Sequence, residues 1–116
     1  MVVQLEDQAT ADRVFHALAD ATRRDIVRRT LDGSHTVTDL ARRYPMSFAA
    51  VQKHVAVLEH AGLVTKRRRG REQLVSGDAT TLARARDLLG QFEVLWRGRL
   101  DQFDQILTTY VIEGEP

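Results

Sequence analysis

Two short helical patterns joined by a tight turn constrain the fold of this chain more than any other feature of its sequence. Thr36 and Ser47 carry the hydroxyl groups that favour a helix N-cap, and each precedes an apolar pattern of helical period. The first helix is predicted to bury Val37, Leu40, Ala41 and Tyr44. Pro45 is expected to end it, because its nitrogen has no hydrogen to donate.

The second helix is predicted to bury Val51, Val55 and Leu58. Gly62 then follows as the left-handed residue that closes it, so residues 37–60 predict a helix-turn-helix pair.

Two more helical patterns precede this pair. The first helix is predicted over 9–19, with one apolar face made of Ala11, Val14, Phe15 and Leu18. The second is predicted to start after Thr22 as N-cap, with Asp25 completing a shortened capping box, and to end at Asp32 and Gly33. Its buried face is expected to hold Ile26, Val27 and Leu31.

A change of period after Gly62 indicates strands. Residues 63–69 and 72–76 are predicted to form a β-hairpin around Arg69-Gly70-Arg71. A long amphipathic helix is then predicted over 79–110, and a chain of 116 residues fits one domain, 1–116. The order α-α-α-α-β-β-α, mainly α with one β-hairpin, is that of a winged helix-turn-helix protein.

The charge of the chain is concentrated in one place. The net charge is only +1, but residues 61–78 hold 5 basic and 2 acidic side chains. The basic ones stand around the turn of the hairpin and are Lys66, Arg67, Arg68, Arg69 and Arg71. Such a run repels itself unless it meets an anionic partner, which a DNA backbone or minor groove would supply. The alternative is a solvated charged edge that discourages strand pairing.

The second helix of the pair offers a surface suited to duplex DNA. The 100° helical step directs Ala49, Gln52, Lys53 and Ala56 away from its buried stripe and leaves Phe48 and His54 on the flanks. Gln52 can donate and accept at an adenine edge, and Lys53 can reach guanine or phosphate. The residues expected to contact DNA are therefore Ser47, Phe48, Ala49, Gln52, Lys53 and His54. The alternative reading of Gln52 and Lys53 is a merely solvated polar face.

Three segments together resemble the ArsR/SmtB family of bacterial winged-helix repressors. They are HALADATRRDIV (16–27), TVTDLARRYPMSFAAVQKHVAVLEHAGLV (36–64) and KRRRGREQLV (66–75). The resemblance implies a homodimer that binds a pseudo-palindromic operator and represses transcription. It also implies a dimer interface on the first and last helices, 9–19 and 79–110. The residues expected there are Val14, Phe15, Leu18, Leu89, Phe92, Trp96, Phe103 and Ile106.

The chain departs from that family's pattern at its metal-sensing positions. Members that sense metals carry a cysteine motif where this chain has residues 36–40, or Asp/His clusters on the last helix, where it has no histidine. It therefore resembles the branch without a metal sensor, and no metal or cofactor is expected. Ala21 stands where the family usually has proline, a change that should only soften the helix start.

Other functional classes find little support in the sequence. No Gly-rich phosphate loop, nucleophile elbow or paired-carboxylate motif occurs, so an enzyme is not expected. No apolar run reaches membrane-spanning length, the first ten residues lack a basic n-region, and no cysteine is present, so a cytoplasmic location is expected. Two alternatives stay open: a winged-helix module that docks on protein, and a small-molecule effector pocket between the last helices lined by Phe92, Trp96 and Phe103.

Overall fold

A computed structural model describes residues 5–114, and the side chains of residues 8–109. The chain divides into two compact units, one through Ala85 and one from Arg86 onward. The elements in chain order are α1 (Leu5–Leu18), α2 (Ala21–Asp32), β1 (His35–Thr36), α3 (Val37–Ala41), α4 (Phe48–His60), β2 (Val64–Arg69), β3 (Glu72–Gly77) and α5 (Ala79–Gly114). The predicted helices are all present, and the architecture is a mainly helical winged helix-turn-helix with a β-hairpin.

The predicted caps of the helix-turn-helix pair are confirmed. The amide of Asp39 donates to Thr36 Oγ1 at 3.0 Å, and the amide of Ala50 donates to Ser47 Oγ at 3.1 Å. Each hydroxyl thus satisfies one of the free amides in the first turn of its helix. Gly62, with φ +78°, takes the left-handed conformation that a side chain would disfavour.

Several predicted helix boundaries are wrong. Helix α1 begins at Leu5 rather than near residue 9, and α5 continues to Gly114 rather than ending near residue 110. The N-cap of α2 is Asp20, whose Oδ2 accepts from the amide of Arg23 at 3.0 Å, so the helix begins at Ala21 rather than after Thr22. The capping-box role predicted for Asp25 is also wrong, because its carboxylate binds other side chains. Helix α3 ends at Ala41 and does not reach Pro45, so the proline follows the helix without ending it.

A third strand joins the predicted hairpin. The hairpin itself is confirmed, with Gly70 at φ +62° in its turn and Arg69 paired with Glu72 at its end. Strand β1 pairs antiparallel with β3, His35 opposite Val75, and the sheet order is β1-β3-β2. Strand β1 was not predicted, because a strand of two residues shows no alternation of apolar and polar residues. This strand joins the start of α3 to the hairpin.

The core of the first unit draws on every one of its helices. Its largest fully buried side chains are Ile26, Leu40, Leu58, Leu63, Val51, Val55, Val64 and Val75. The predicted buried stripe of α4 is confirmed in full. The prediction for α2 is wrong at Leu31, which is 43% exposed, while Thr30 is buried. Thr30 can enter the core because its hydroxyl donates to the Ile26 carbonyl at 2.8 Å.

Residues 86–114 form one helical stretch whose described side chains bury almost nothing. Every described residue from Gln91 to Thr109 is exposed. The large apolar side chains among the exposed residues of this stretch are Leu89, Phe92, Val94, Leu95, Trp96, Leu100, Phe103, Ile106 and Leu107.

Candidate nucleic-acid interface

The N-terminal half of α4 presents most of the residues predicted to contact DNA. Ser47, Ala49, Gln52 and Lys53 are exposed, and Phe48 is 46% exposed despite its size. The N-cap at Ser47 leaves the first-turn amides and the positive end of the helix dipole at this edge, where a phosphate is favoured. His54 differs from the others because it is half-buried.

His54 faces the junction between α1 and α2. Its Nδ1 lies 3.3 Å from a terminal nitrogen of Arg23 and 3.9 Å from Asp20 Oδ2. The amide of Arg23 holds the pKa of the Asp20 carboxyl below its usual value. The predicted DNA-contacting histidine therefore contacts α2 within its own chain, which the sequence did not indicate.

A second polar cluster ties the turn of the helix-turn-helix to α2. The Tyr44 hydroxyl and the Arg29 Nε both donate to Asp25 Oδ2 at 2.7 Å, and Arg28 also pairs with this carboxylate. The hydrogen bond from Tyr44, followed by those from Arg29 and Arg28, lowers the pKa of Asp25 to about 2. Burial and the bond to Asp25 raise the pKa of Tyr44 to about 12. Tyr44 was predicted to be buried, and it packs against the core while half-buried. Its hydroxyl also joins the turn that precedes α4 to α2 by the hydrogen bond to Asp25.

The basic hairpin contains side chains with different surroundings. Lys66 Nζ lies 3.4 Å from Glu59 Oε1 on α4, so the charge of this lysine is partly neutralised. The ion pair also joins the base of the hairpin to α4. Arg68 Nε donates to the carbonyl of Gly70 at 3.3 Å, within the turn. Arg67, Arg69 and Arg71 are exposed, and none has an ion pair within the described part of the chain. The unneutralised charge thus lies toward the tip.

The residues predicted for the dimer interface lie in three kinds of surroundings. Val14 is 3% exposed in the core of its own unit and offers almost no surface to a partner. Phe15 and Leu18 are half-buried. The others are exposed on residues 86–109 and are Leu89, Phe92, Trp96, Phe103 and Ile106.

Over residues 5–114 no three His, Asp or Glu side chains converge where they could hold a metal ion. No described helix combines the length and apolar character needed to cross a membrane.

A capped helix-turn-helix pair with an exposed polar edge, followed by an arginine-rich hairpin, defines the winged helix-turn-helix class of DNA-binding proteins.

Residues 18–67 match a family profile described as a helix-turn-helix domain. The chain is 41% identical over 96 residues to the HTH-type transcriptional regulator Rv2034 of Mycobacterium tuberculosis, covering 83% of this chain and 87% of that one. It is 30% identical over 71 residues to the transcriptional repressor SdpR of Bacillus subtilis, covering 61% and 79%.

Solved structures agree with these matches. An ArsR-like transcriptional regulator from Rhodococcus sp. RHA1 is similar with a TM-score of 0.74 and 30% identity, over 88% of this chain and 96% of that one. The homodimeric winged helix-turn-helix DNA-binding domain Mb0332 of Mycobacterium bovis has the same fold, with a TM-score of 0.58 and 24% identity over 88% and 95%. The chain belongs to the ArsR family of winged helix-turn-helix transcriptional regulators, which bind DNA and are not enzymes.

Proposed function

We propose that this regulator is a homodimeric repressor that recognises a pseudo-palindromic operator by its sequence. The observation that carries the proposal is the pairing, in one compact unit, of an exposed α4 edge with a hairpin tip whose arginines have no ion pair in the described residues. A dimer with two-fold symmetry would place two α4 helices about 34 Å apart, one turn of DNA.

We assign base recognition to α4 and binding of the DNA backbone to the hairpin. Gln52 and Lys53 supply the groups that can distinguish bases, and Phe48 and Ala49 supply apolar surface beside them. Arg67, Arg69 and Arg71 supply charge for the sugar-phosphate backbone, which adds affinity without sequence information. Lys66 contributes less, because Glu59 already lies 3.4 Å away.

Homodimerisation is supported by the exposed apolar side chains of residues 86–109. Contiguous exposed apolar surface in such a small protein marks an interaction site. The Mycobacterium bovis domain with the same fold is homodimeric. A second copy of the chain is therefore the occupant we propose, with Phe92, Trp96 and Phe103 at the centre of the contact. Phe15 and Leu18 of α1 are proposed as further interface residues, since both are half-buried within their own unit.

Repression is proposed from kinship rather than from geometry. The relative SdpR is a transcriptional repressor, and a dimer bound across an operator obstructs other proteins at the same DNA. The chain has no cysteine, so the regulator that we propose does not sense metal through cysteine. A small-molecule effector between the last helices stays an open alternative.

These two roles can be tested by selecting the operator from a random DNA pool and then measuring band shifts with two variants. Arg69→Ala is expected to weaken binding to all sequences alike and to reduce the steepness of log K against log salt by about 1 per protomer, or about 2 for the dimer. Gln52→Ala is expected to relax preference at one base pair per half-site, at a cost of about 1–3 kcal/mol in discrimination.

Arg97→Ala is the matched control, because it removes an arginine outside the hairpin. It should leave both the salt slope and the base preference unchanged. If Arg69→Ala and Gln52→Ala bind as the wild type does, the interface is misassigned. Binding that is insensitive to salt would favour the protein-docking alternative.

A further inference from the structure

The Arg23 side chain joins three elements of the first unit. Its Nε donates to the Ala17 carbonyl at 2.7 Å, and one terminal nitrogen donates to the His16 carbonyl at 3.0 Å. These carbonyls belong to the last turn of α1, where helical carbonyls lack partners and a cation is favoured by the helix dipole. The other terminal nitrogen lies 3.3 Å from His54 Nδ1 on α4.

This contact determines which nitrogen of His54 carries the hydrogen. A guanidinium donates hydrogen bonds and accepts none. His54 Nδ1 must therefore be the acceptor, which leaves the hydrogen of the neutral ring on Nε2. Asp20 Oδ2, at 3.9 Å, is too far to accept a hydrogen bond from Nδ1 and does not compete for it.

We propose that Arg23 is a positioning residue for DNA recognition: it fixes the ring of His54 as the Nε2-protonated tautomer and thereby sets the pose of α4. The inference rests on the proposed function, since the pose matters only if α4 reads bases. Gln52 and Lys53 directly precede His54 on α4, so the restraint on His54 acts within two residues of the side chains proposed to read the operator. The planar guanidinium can hold two carbonyls and the ring together from separate nitrogens, whereas a lysine ammonium donates from a single nitrogen.

Arg24 provides a matched control. Its guanidinium donates to the Leu18 carbonyl at 2.8 Å, so it also caps the end of α1, and no hydrogen bond joins it to α4 within the described residues. Arg23→Gln removes two hydrogen bonds to α1 and the contact to His54, whereas Arg24→Gln removes one hydrogen bond to α1. Only Arg23→Gln removes the contact to α4, and the tautomer of His54 reports on that contact separately from the lost bonds to α1.

The first measurement is the tautomer of His54 in the full-length protein, read from long-range proton–nitrogen NMR correlations at neutral pH. We expect the Nε2-protonated form in the wild type and in Arg24→Gln, and a mixture of tautomers in Arg23→Gln. A wild-type ring protonated on Nδ1 would overturn the proposal. The wild-type spectrum alone can overturn the proposal, and it needs neither DNA nor a folded variant.

The second measurement is the ratio of specific to non-specific DNA affinity. Arg23→Gln is expected to lower this ratio about tenfold, the scale of one hydrogen bond to a charged group, and Arg23→Lys should not restore it. Arg24→Gln should leave the ratio unchanged, with circular dichroism confirming that each variant folds. Equal ratios in Arg23→Gln and Arg24→Gln would refute the positioning role. Failure of the wild type to bind any DNA would refute the proposed function while leaving the tautomer result intact.

Discussion

The unit that ends at Ala85 and the stretch that begins at Arg86 place their apolar side chains in opposite surroundings. All the buried apolar side chains of the described residues lie between Val14 and Val75. From Gln91 to Thr109 every described residue is exposed, although Phe92, Trp96 and Phe103 are as apolar as anything in the core. An amphipathic pattern thus shows which residues share a face, but does not show whether the same chain covers that face.

The two regions also differ in what stabilises their backbone. Most helical stability in proteins comes from the packing of an apolar face, and an isolated helix is marginal in water. The first unit supplies such packing from its own residues. The stretch from Arg86 onward has no buried side chain among its described residues, which supports our proposal that a second copy covers it.

The largest expected effect compares one leucine from each region. Leu58→Ala empties a fully buried site and is expected to cost about 3 kcal/mol of unfolding free energy. Leu95→Ala, at a residue 70% exposed, should cost less than about 0.5 kcal/mol in the monomer. Urea unfolding at two protein concentrations measures both costs. The loss of unfolding free energy in Leu95→Ala should rise with protein concentration. At the higher concentration unfolding starts from the proposed dimer and also separates the two copies, so it exposes the apolar face that they share. If it costs as much as Leu58→Ala at the lower concentration, the contrast between the regions is false.

The next prediction tests the proposed partner of the exposed stretch. Trp96→Asp introduces a charge at the centre of the apolar face and should raise the dimer dissociation constant at least about 100-fold. Sedimentation velocity across a range of concentrations measures the change. Gln105→Asp is the control, because nine helical steps direct it away from Trp96. A monomeric wild type, or equal effects of the two aspartates, would contradict the dimer proposal.

The smallest effect concerns polar contacts in the two regions. Asp25→Asn should lower stability at pH 7 by about 1–2 kcal/mol, because the native pKa of about 2 lies below the unfolded value of about 3.9. That contribution is present above pH 4 and disappears as the pH falls toward 2, so the variant should lose less stability over this range than the wild type does.

Glu93→Gln is the matched comparison in the other region. Its carboxylate lies 2.5 Å from Arg97, but both side chains are more than half exposed, so solvent screens the pair. Thermal unfolding should show no measurable change at any pH. An equal loss in the two variants would mean that the cluster at Tyr44 adds nothing beyond a surface ion pair.

Local chemistry made much of this fold predictable. The caps at Thr36 and Ser47, the closing glycine and the glycine turn of the hairpin all depend on residues within a few positions of one another. One error is local, because Thr22 and Asp20 are both plausible caps of α2 and only the structure distinguishes them. Another arises where a distant residue decides: Asp25 was predicted to complete a capping box, but its carboxylate accepts a hydrogen bond from Tyr44, 19 positions away. The candidate site shows the same limit, since the contact of His54 with Arg23 joins residues 31 positions apart.

The ion pair between Lys66 and Glu59 has a mechanical consequence. It joins the base of the hairpin to α4, although both side chains are partly exposed and solvent weakens the pair. Under the proposed function, we expect the turn at Gly70 to adapt to the width of a DNA groove more readily than the base of the hairpin does. Exchanging turn residues between relatives should then change affinity while leaving the operator preference in place.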